Sequence, residues 1–437
     1  MSASGAVWRN WARTEAVRPL RVERPGSAGA VQRAVIAAGT AGLRVKAVGA
    51  GHSFSAIAVA PGVQLDLHDL SGVIRVDRAA HQVTLGAGTL LSRLEGLLAP
   101  HGLALANMGD IDRQALAGAI STGTHGTGSA LGGLASQVVA LTLVTGDGSL
   151  LHVSGTENAE LLPAAALGLG ALGIIVDVTL QCVPEFLLHS VEDAEPLDGV
   201  LESFLERTRA ADHFEFFWFP HTGSALTKTN TRLSGGARRA PRSPVSRWFE
   251  DEALANGAYR GFCALGAIQP VLVPGFNRLA ARLSGRREYT DVSSRVFVTN
   301  RTVRFRELEY GLPLDLIPSA LAEVRALIER RAWRISFPIE VRSAAADDLW
   351  LSTAAGRETG YIAVHRYYRE DHTEFFLAVE EIMLSHGGRP HWGKIHYADA
   401  EKLREAYPRF DDFGQVRDRL DPERRFSNPY LERVLGS

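Results

Sequence analysis

The sequence of 437 residues contains little cysteine and lysine and no long apolar run. The two cysteines, Cys182 and Cys263, are far apart and outside any C-x-x-C pair, which excludes a disulfide framework and a zinc knuckle and predicts two buried thiols. The longest apolar stretch, residues 161–176, contains proline and glycine and is shorter than the roughly 18–20 residues of a membrane span. Because residues 1–19 also lack the apolar core of a secretory signal, we expect a cytoplasmic protein with no integral membrane segment, and peripheral membrane association stays open.

The chain also lacks an excess of charge of either sign. Its 47 Lys and Arg residues nearly balance its 49 Asp and Glu residues, which excludes the strongly basic surface of a nucleic-acid-binding protein. The composition, 46% hydrophobic and 22% charged, is typical of soluble globular proteins, and the length predicts two or three domains or one large two-lobed enzyme. Lysine occurs only at Lys46, Lys228, Lys394 and Lys402, so a lysine inside a motif is informative.

Short β-type runs separated by glycine turns dominate the first 185 residues. They predict strands at residues 43–48, 63–67, 73–76, 83–85, 138–145, 150–153 and 174–181. Helical spacing of apolar residues predicts helices at residues 28–39 and 90–101. Because strands and helices are mixed without a regular β-α-β alternation, the sequence indicates the α+β class.

The pattern changes after residue 185. Apolar periodicity predicts helices at residues 198–209, 318–331 and 373–386 and strands at residues 333–342 and 361–367. An arginine-rich segment, residues 232–247, could contact an anionic partner, but aromatic residues are not interleaved with its arginines. We therefore interpret it as a solvated surface loop.

Residues 45–55 run from a β-type segment into a turn that contains Gly49 and Gly51. Glycines there would let main-chain amides approach a phosphate closely. A dinucleotide-binding G-x-G-x-x-G motif would need a third glycine where Phe54 stands, followed by a helix. The same residues also resemble a hydrolase nucleophile elbow with Ser53 as nucleophile, but Pro61 leaves little room for the helix that an elbow needs.

A second glycine-rich segment, residues 118–128, reads Gly-Ala-Ile-Ser-Thr-Gly-Thr-His-Gly-Thr-Gly. Its glycines alternate with small hydroxyl residues, which suits a chain that wraps a polyphosphate and donates amide and hydroxyl hydrogens to it. A flexible loop is the alternative that this segment, taken alone, leaves open.

Three motifs in order resemble the FAD domain of the vanillyl-alcohol oxidase superfamily (p-cresol methylhydroxylase type): residues 49–54, 83–88 and 118–126. Two later motifs, residues 339–342 (Ile-Glu-Val-Arg) and 390–394 (Pro-His-Trp-Gly-Lys), are similar to the aldonolactone oxidoreductases and to the related alditol oxidases. The first group includes bacterial L-gulono-1,4-lactone dehydrogenases and D-arabinono-1,4-lactone oxidases. The motifs extend from about residue 45 to 430, so the resemblance covers nearly the whole chain.

This resemblance implies an α+β, two-lobed fold. Residues 1–185 would form the FAD-binding domain and residues 186–385 a substrate-binding cap with an antiparallel sheet. Residues 386–437 would form a C-terminal segment that returns to the flavin.

The resemblance also implies FAD as cofactor, linked covalently through His52. A neutral imidazole can attack the flavin 8α carbon, and the link would raise the flavin potential and favour substrate oxidation. The further cofactor-binding residues implied are Ala47, Val48, Gly49, Ala50, Gly51, Ser53, Asp110, Ala115, Gly118, Thr122, Gly123, Thr124, His125 and Ile174. No metal is expected.

Glu340 and Arg342 are two residues apart on a predicted strand and therefore share one face. In isolation they could be an exposed ion pair, but beside flavin motifs a carboxylate and a guanidinium suit a polyol, because one accepts and the other donates hydrogen bonds. Lys394 resembles the family lysine near the flavin, where a cation stabilises negative charge that develops in the reaction. Asp110 and His365 complete the substrate-binding residues that the resemblance implies.

The implied activity is FAD-linked oxidation of a CH–OH group in L-gulono-, L-galactono- or D-arabinono-1,4-lactone. Hydride would pass to flavin N5 and the product would be ascorbate or an analogue. Oxygen, a cytochrome or a quinone could accept the electrons, and Gly109 would leave space for oxygen. The alternatives are an alditol oxidase that acts on xylitol or sorbitol and produces hydrogen peroxide, a serine hydrolase, and a non-catalytic binding module. Asp110 stands where alditol oxidases carry a serine, which favours the lactone group.

Overall fold

The structure, a computed structural model, describes residues 6–234, 236–243 and 256–436. The prediction for residues 232–247 therefore lies partly outside the described residues. Helices and strands are mixed along the chain, which confirms the α+β class. No helix in the described ranges combines the length and the apolar character needed to cross a bilayer.

A small three-stranded parallel sheet forms one part of the first lobe. Its strands lie in the order Arg21–Glu23, Val63–Asp66, Val45–Val48. The helix Ala28–Thr40 begins where the Ser27 side chain accepts a hydrogen bond from the Ala30 amide, and its apolar stripe, which includes Val31 and Val35, is buried. The strand Val45–Val48 ends directly before the glycine turn and so fixes the position of that turn.

A five-stranded antiparallel sheet forms the rest of this lobe. Its strands lie in the order Leu150–Ser154, Val138–Val144, Ile174–Gln181, Gln82–Gly86, Val73–Asp77. The last residues of Ile174–Gln181 alternate between buried and half-buried, as expected for a strand with one face in the core. All seven strands predicted in the first 185 residues are present, with ends that differ by one or two residues at most positions.

An eight-stranded antiparallel sheet dominates the second lobe. Its strands lie in the order Arg287–Val292, Leu187–Pro196, Ser224–Arg232, His213–Trp218, Ile339–Ala344, Thr359–Tyr367, Phe305–Pro313, Arg389–Pro390. Helices Ile317–Arg330 and Thr373–Ser385 contribute to a core on one face of this sheet, together with strand residues such as Leu308 and Val341. The opposite face is left for the functional site.

The remaining elements are short. Two-residue strand pairs are Trp8–Arg9 with Ala16–Val17 and Leu103–Ala104 with Val183–Pro184. The other helices are Leu94–Leu98, Leu116–Thr122, Leu162–Ala165, Leu197–Glu202, Phe204–Ala210, Tyr259–Ile268, Val273–Leu283, Ser293–Phe297, Ala400–Ala406, Phe410–Leu420 and Pro429–Leu435.

Three predicted elements differ from the structure. The helix predicted at residues 198–209 is two helices that meet at Ser203. The helix predicted at residues 90–101 is one α-helical turn between two 3-10 turns, since Pro100 supplies no amide hydrogen for a longer α-helix. The strand predicted from residue 333 begins only at Ile339, directly after Pro338, which cannot donate to a strand ladder.

The C-terminal residues pack into the core of the first lobe. Trp392, Phe413 and Leu431 belong to the same buried apolar cluster as the five-stranded sheet. The Asn428 side-chain amide donates to the carbonyls of residues 56, 57 and 59, and the amide of Phe54 donates to the Gly393 carbonyl. These bonds hold the segment after the glycine turn against the loop that carries Lys394.

Candidate functional site

Two adjoining clefts meet at His52 and Ser53. The first, here the glycine cleft, has a volume of about 1060 Å³ and is lined by residues 46–53, 57–58, 66–68, 87–88, 90, 114–115, 117–118, 121–122, 169–170, 173 and 175. The second, here the charged cleft, has a volume of about 1790 Å³ and is lined by residues 11, 50, 52–54, 90, 109–114, 122, 124–125, 298–302, 305, 309, 342, 391 and 393–394.

Most of the cofactor-binding residues predicted from sequence line one of these clefts. The glycine cleft contains Ala47, Val48, Gly49, Ala50, Gly51, His52, Ser53, Ala115, Gly118 and Thr122. The charged cleft contains Asp110, Thr124 and His125. Gly123 and Ile174 line neither cleft; Gly123 ends the helix Leu116–Thr122 with a φ of +80°, and the neighbour Ile175 takes the wall position expected for Ile174.

Gly118 gives the glycine cleft an open wall. It lies in the helix Leu116–Thr122, and a Cβ added there would meet no protein atom within 4 Å. Gly118 itself is exposed, although its neighbours Ala117 and Ala119 are buried. Because Gly118 has no side chain, the main chain of the helix is open to the cleft at this point. A cofactor could therefore lie directly against the helix.

His52 lies between the two clefts. Its ring stacks on Trp11 with centroids 5.8 Å apart, and Nδ1 is buried without a hydrogen-bond partner among the described residues. Burial lowers the pKa of His52, because it penalises the imidazolium form. A neutral ring with a free nitrogen beside a glycine-lined cleft fits a covalent link to a cofactor, so the residues present are compatible with FAD.

Lys46 is a buried cation on the wall of the glycine cleft. Its ammonium donates to the carbonyls of Gly170 (3.0 Å) and Phe426 (3.1 Å), and it forms no ion pair within the described ranges. Burial, together with the charge of Arg417, lowers the pKa of Lys46 to about 7. The side chain therefore connects the glycine cleft to the C-terminal segment.

One face of the eight-stranded sheet supplies most charged groups of the second site. Glu309 and Glu340 both pair with Ala363, from opposite sides, and directly paired residues point to the same face. The same pairing places Arg342 beside Tyr361 on this face. Strand register thus brings together residues that are far apart in sequence.

The first group on this face, here the arginine cluster, consists of Asp110, Glu215, Arg301, Glu340 and Arg342. Arg342 Nε donates to Glu215 Oε2 at 2.8 Å, and Arg342 Nη2 contacts Glu340 and lies 3.4 Å from Asp110 Oδ1. Arg301 Nη2 lies 2.9 Å from Asp110 Oδ2 and Arg301 Nη1 lies 3.9 Å from Glu340 Oε2. Asp110 and the two guanidiniums therefore form one network beside the charged cleft.

Two of the three carboxyls of the arginine cluster, Glu340 and Asp110, differ in acidity. Burial raises the pKa of Glu340, and the neighbouring Arg342 and Arg301 offset only part of that effect. Burial acts in the same direction on Asp110, but Arg301 and Arg342 outweigh it and hold the pKa of Asp110 well below its usual range. Asp110 is thus a fixed anion, whereas Glu340 is the carboxyl that takes up a proton more readily.

The second group, here the lysine cluster, consists of Lys394, Glu307, Glu309, His125 and His391. Lys394 Nζ lies 2.5 Å from Glu307 Oε2 and 3.7 Å from Glu309 Oε2, and it stands 5.3 Å from the centre of the Phe54 ring. Burial alone would lower the pKa of Lys394, but these two carboxylates outweigh it and raise the pKa. Lys394 is therefore a permanent cation in the charged cleft.

Three residues of the lysine cluster, His125, Glu309 and His391, place nitrogen and oxygen atoms within 4.8 Å of one another, as a metal site would. His125 Nδ1 already lies 2.9 Å from the Gly126 carbonyl and Nε2 lies 3.2 Å from Glu309. His391 Nδ1 accepts a hydrogen bond from the Gly393 amide at 3.1 Å. These bonds fit a network within the protein better than an ion.

Two predicted substrate residues do not line the clefts themselves. His365 is buried behind Glu307, with Nε2 3.5 Å from Glu307 Oε1 and Nδ1 3.0 Å from the Pro338 carbonyl. Glu340 reaches the charged cleft through its contacts with Arg342 and Arg301. A role of these residues toward a substrate stays a prediction.

Sequence reasoning missed Arg301, Glu215, Glu307 and Glu309. Glu215 lies between Phe214 and Phe216, which is a signal of a buried charge, whereas Arg301 stands in ordinary polar surroundings and had no local signal. Glu307 and Glu309 had one, because two acidic residues alternate with apolar ones in an otherwise buried strand, Phe305–Pro313.

Ser53 has little of the environment that the hydrolase alternative needs. It is followed by one 3-10 turn, Ala56–Ala58, and then by the strand Val63–Asp66, whereas a nucleophile elbow opens a helix. Within the described residues, no hydrogen bond joins the Ser53 hydroxyl to a histidine.

The sequence matches two family models. Residues 178–434 match the D-arabinono-1,4-lactone oxidase family and residues 19–154 match the FAD binding domain family. The chain is 43% identical to an L-gulono-1,4-lactone dehydrogenase of Mycobacterium tuberculosis over 98% of this chain and 99% of that protein. It is 36% identical to an L-gulonolactone oxidase of Bos taurus over 99% and 98%, and 32% identical to an alditol oxidase of a Streptomyces species over 98% of each.

The fold has counterparts among solved structures. A cholesterol oxidase from B. sterolicum superposes with a TM-score of 0.82 at 17% identity, over all of this chain and 97% of that one. This likeness confirms the predicted fold type, and the sequence matches confirm the resemblance inferred from the motifs. With a family model covering residues 178–434 and relatives aligned from end to end, the chain belongs to the D-arabinono-1,4-lactone oxidase family.

Proposed function

We propose that the protein is an FAD-dependent oxidoreductase that oxidises the CH–OH group of an aldono-1,4-lactone of the L-gulono, L-galactono or D-arabinono type to ascorbate or an analogue. The observation that carries this proposal is the junction of the glycine cleft with a cleft walled by paired carboxylates, guanidiniums and a lysine. The relatives support the substrate class, since those with higher identity are named for L-gulonolactone and the alditol oxidase follows at 32%.

FAD, when bound, supplies the two-electron acceptor that takes hydride from the substrate carbon. The protein holds it with the residues of the glycine cleft, and His52 is the proposed covalent tether. In this proposal main-chain amides and Thr122 of the glycine cleft face the cofactor, and Lys394 supplies a fixed positive charge in the adjoining cleft.

The charged cleft orients the lactone. Asp110 and Glu340 accept hydrogen bonds from substrate hydroxyls, and Arg301 and Arg342 donate to the lactone carbonyl oxygen. Because the ion pairs fix these side chains before substrate binds, little ordering is left for the bound state. The hydroxyl proton leaves towards a basic residue or water as hydride transfer proceeds.

Visible spectroscopy of the purified protein tests cofactor and substrate together. We expect a flavin spectrum, yellow colour in the pellet after trichloroacetic acid precipitation, and bleaching when L-gulono-1,4-lactone is added without oxygen. His52→Ala should release the colour into the supernatant while the folded protein still binds FAD. A colourless protein that cannot be reconstituted with FAD would overturn the proposal.

A variant separates the lactone site from the fold. Glu340→Gln should lower both kcat and lactone affinity while the flavin spectrum stays unchanged, because the amide no longer accepts hydrogen bonds at both oxygens. Glu374→Gln is the control, because Glu374 forms an exposed surface ion pair with Arg331. Full turnover by Glu340→Gln would contradict the assigned site, and a panel of lactones, xylitol and sorbitol distinguishes the alditol alternative.

A further inference from the structure

Exposed aliphatic side chains are concentrated in one part of the surface. Six of the thirteen large apolar side chains that are exposed in the described part of the chain lie between residues 265 and 283. They are Leu265, Ile268, Val271, Leu272, Leu279 and Leu283. Ile268 and Val271 are 73% and 72% exposed, so they extend almost fully into solvent. Such concentration marks an interaction surface, whereas single exposed apolar residues do not.

These side chains belong to a helical pair, residues 259–283, here called the apolar hairpin. Helices Tyr259–Ile268 and Val273–Leu283 are joined by the 3-10 turn Pro270–Leu272. The rings of Phe262 and Phe276 stack 4.7 Å apart between the helices. The Asn277 side chain anchors the second helix through hydrogen bonds to the carbonyls of Pro220 and Ile335 at 2.9 Å each. The inner residues thus fix the hairpin to the rest of the protein, while its aliphatic side chains remain exposed to solvent.

The charge of this region has one sign. The hairpin, residues 259–283, includes three arginines and no aspartate or glutamate. Arg278 and Arg282 are exposed on the second helix and form no ion pair with the carboxylates of the described residues. An amphipathic helix with aliphatic residues and arginines free to reach anions is the pattern of a helix that lies in the headgroup region of a bilayer.

A second copy of the chain is a poorer occupant of this surface. A two-fold contact would bring Arg278 and Arg282 of both copies together with no carboxylate in the hairpin to compensate them. Anionic lipid offers both an apolar phase for the leucines and phosphates for the arginines.

The hairpin is also connected to the charged cleft. Arg260 Nη2 donates to Thr302 Oγ1 at 2.8 Å, and the Asn256 side-chain oxygen accepts from the Thr302 amide at 2.7 Å. Thr302 lines the cleft beside Arg301. The first helix of the hairpin has ten residues and is therefore about 15 Å long. The exposed aliphatic side chains at its far end thus lie about one helix length from this wall.

We propose that the apolar hairpin docks the protein on an anionic lipid surface, with its aliphatic residues in the bilayer interface and Arg278 and Arg282 on lipid phosphates. Docking would hold the wall of the charged cleft beside the membrane. The site is distinct from the cofactor and lactone sites, so it stands or falls independently of the catalytic proposal.

Vesicle sedimentation with the full-length, FAD-loaded protein tests the proposal. We expect the protein to pellet with vesicles of phosphatidylcholine and phosphatidylglycerol and to pellet much less with phosphatidylcholine alone. The double variant Ile268→Glu/Val271→Glu should reduce binding by about tenfold or more, because it replaces the two most exposed aliphatic residues with anions. Ile74→Glu changes an equally apolar side chain, 63% exposed, on the other lobe and should bind as the original protein does.

Matching flavin content and thermal unfolding of the variants shows that the fold is intact. Failure of the original protein to pellet with either vesicle would overturn the proposal. Equal binding by Ile268→Glu/Val271→Glu would overturn it as well. If the original protein is instead a concentration-dependent dimer that this double variant dissociates, without vesicle binding, the surface is a protein interface and the lipid proposal is wrong.

Discussion

The glycine cleft and the charged cleft share the wall around His52, yet different parts of the chain build them. The glycine cleft is made of main chain and small side chains from a few continuous segments, chiefly residues 46–53 and 114–122. The charged cleft depends on side chains such as Asp110, Arg301 and Lys394, which come from separate loops, and on Glu309 and Arg342 from two strands. A local motif can specify the first arrangement, whereas the second requires the whole sheet.

The buried lysines of the two clefts show the same difference in electrostatic terms. Lys46 contacts carbonyl dipoles, so desolvation dominates and its pKa falls to about 7. Lys394 contacts two carboxylates, so its pKa rises although its side chain is only 18% exposed. Burial alone therefore does not decide the charge of a lysine; its partners do.

The largest expected effect is a loss of turnover without a loss of bound flavin. Arg342→Met should lower kcat/KM by about a hundredfold to a thousandfold, since the lactone oxygen loses a preorganised donor and Asp110, Glu215 and Glu340 lose their shared partner. The flavin content should stay unchanged, because the glycine cleft does not include Arg342. Steady-state kinetics per bound flavin measure the effect, with Arg325→Met at the surface as control. Unchanged kcat/KM with lost flavin would remove the distinction between the clefts.

The second prediction concerns the two lysines. The pKa of Lys46 is about 7 in the folded protein and returns to its ordinary value of 10.5 on unfolding, so between these values the unfolded chain binds the extra proton. As pH rises from 7 to 9, the folded state of the original protein should gain about 2–3 kcal/mol of unfolding free energy relative to Lys46→Met. Below about pH 6 the difference should be nearly constant, because Lys46 is then protonated in both states.

Urea unfolding at pH 6, 7, 8 and 9, with the flavin-free protein prepared in the His52→Ala background, measures this difference. Lys394→Met is the matched control: the folded-state pKa of Lys394 is raised, so both states keep the proton up to pH 9 and no such trend is expected. A Lys46→Met difference that does not change with pH would show that Lys46 remains charged in the folded protein.

A smaller effect is expected at Arg301, whose side chain is partly exposed. Its guanidinium bridges Asp110 and Glu340, which a lysine ammonium reaches only one at a time. Arg301→Lys should therefore lower kcat/KM for the lactone by about tenfold, mostly through KM. Arg301→Met should lower it further. If Arg301→Lys and Arg301→Met are both neutral in steady-state assays, Arg301 does not contact the substrate.

The smallest effect tests the main-chain wall of the glycine cleft. Gly118→Ala should weaken FAD binding by about fivefold, near 1 kcal/mol, since the added methyl enters the space left for the cofactor. The apoprotein should be slightly more stable, because alanine favours a helix. Gly96→Ala, at another exposed helical glycine with free space around it, should give the stability gain without the affinity loss. Titration of the apoproteins with FAD, both variants being made in the His52→Ala background so that the flavin is not covalently held, measures the effect, and equal affinities would place the cofactor elsewhere.

Much of the fold followed from local patterns. Seven strands of the first 185 residues and the helices near residues 28, 318 and 373 were predicted, because alternation and helical spacing are local properties. Prolines account for the differences at residues 90–101 and 333–338. At residues 198–209 the helix is interrupted at Ser203. The pairing of Ile339–Ala344 between His213–Trp218 and Thr359–Tyr367 had no such local signal.

The sequence by itself determined the glycine turns, the position of His52 after them and the shared face of Glu340 and Arg342, because each depends on neighbouring residues. Only the tertiary structure decided which charges surround them. Glu309 and Glu340 flank Ala363 through strand pairings that join residues about 50 and about 20 positions apart, respectively. Lys394 reaches Glu307 because the C-terminal segment packs back into the first lobe. Long-range pairing of this kind depends on the burial of entire faces, so no local segment of the sequence specifies it.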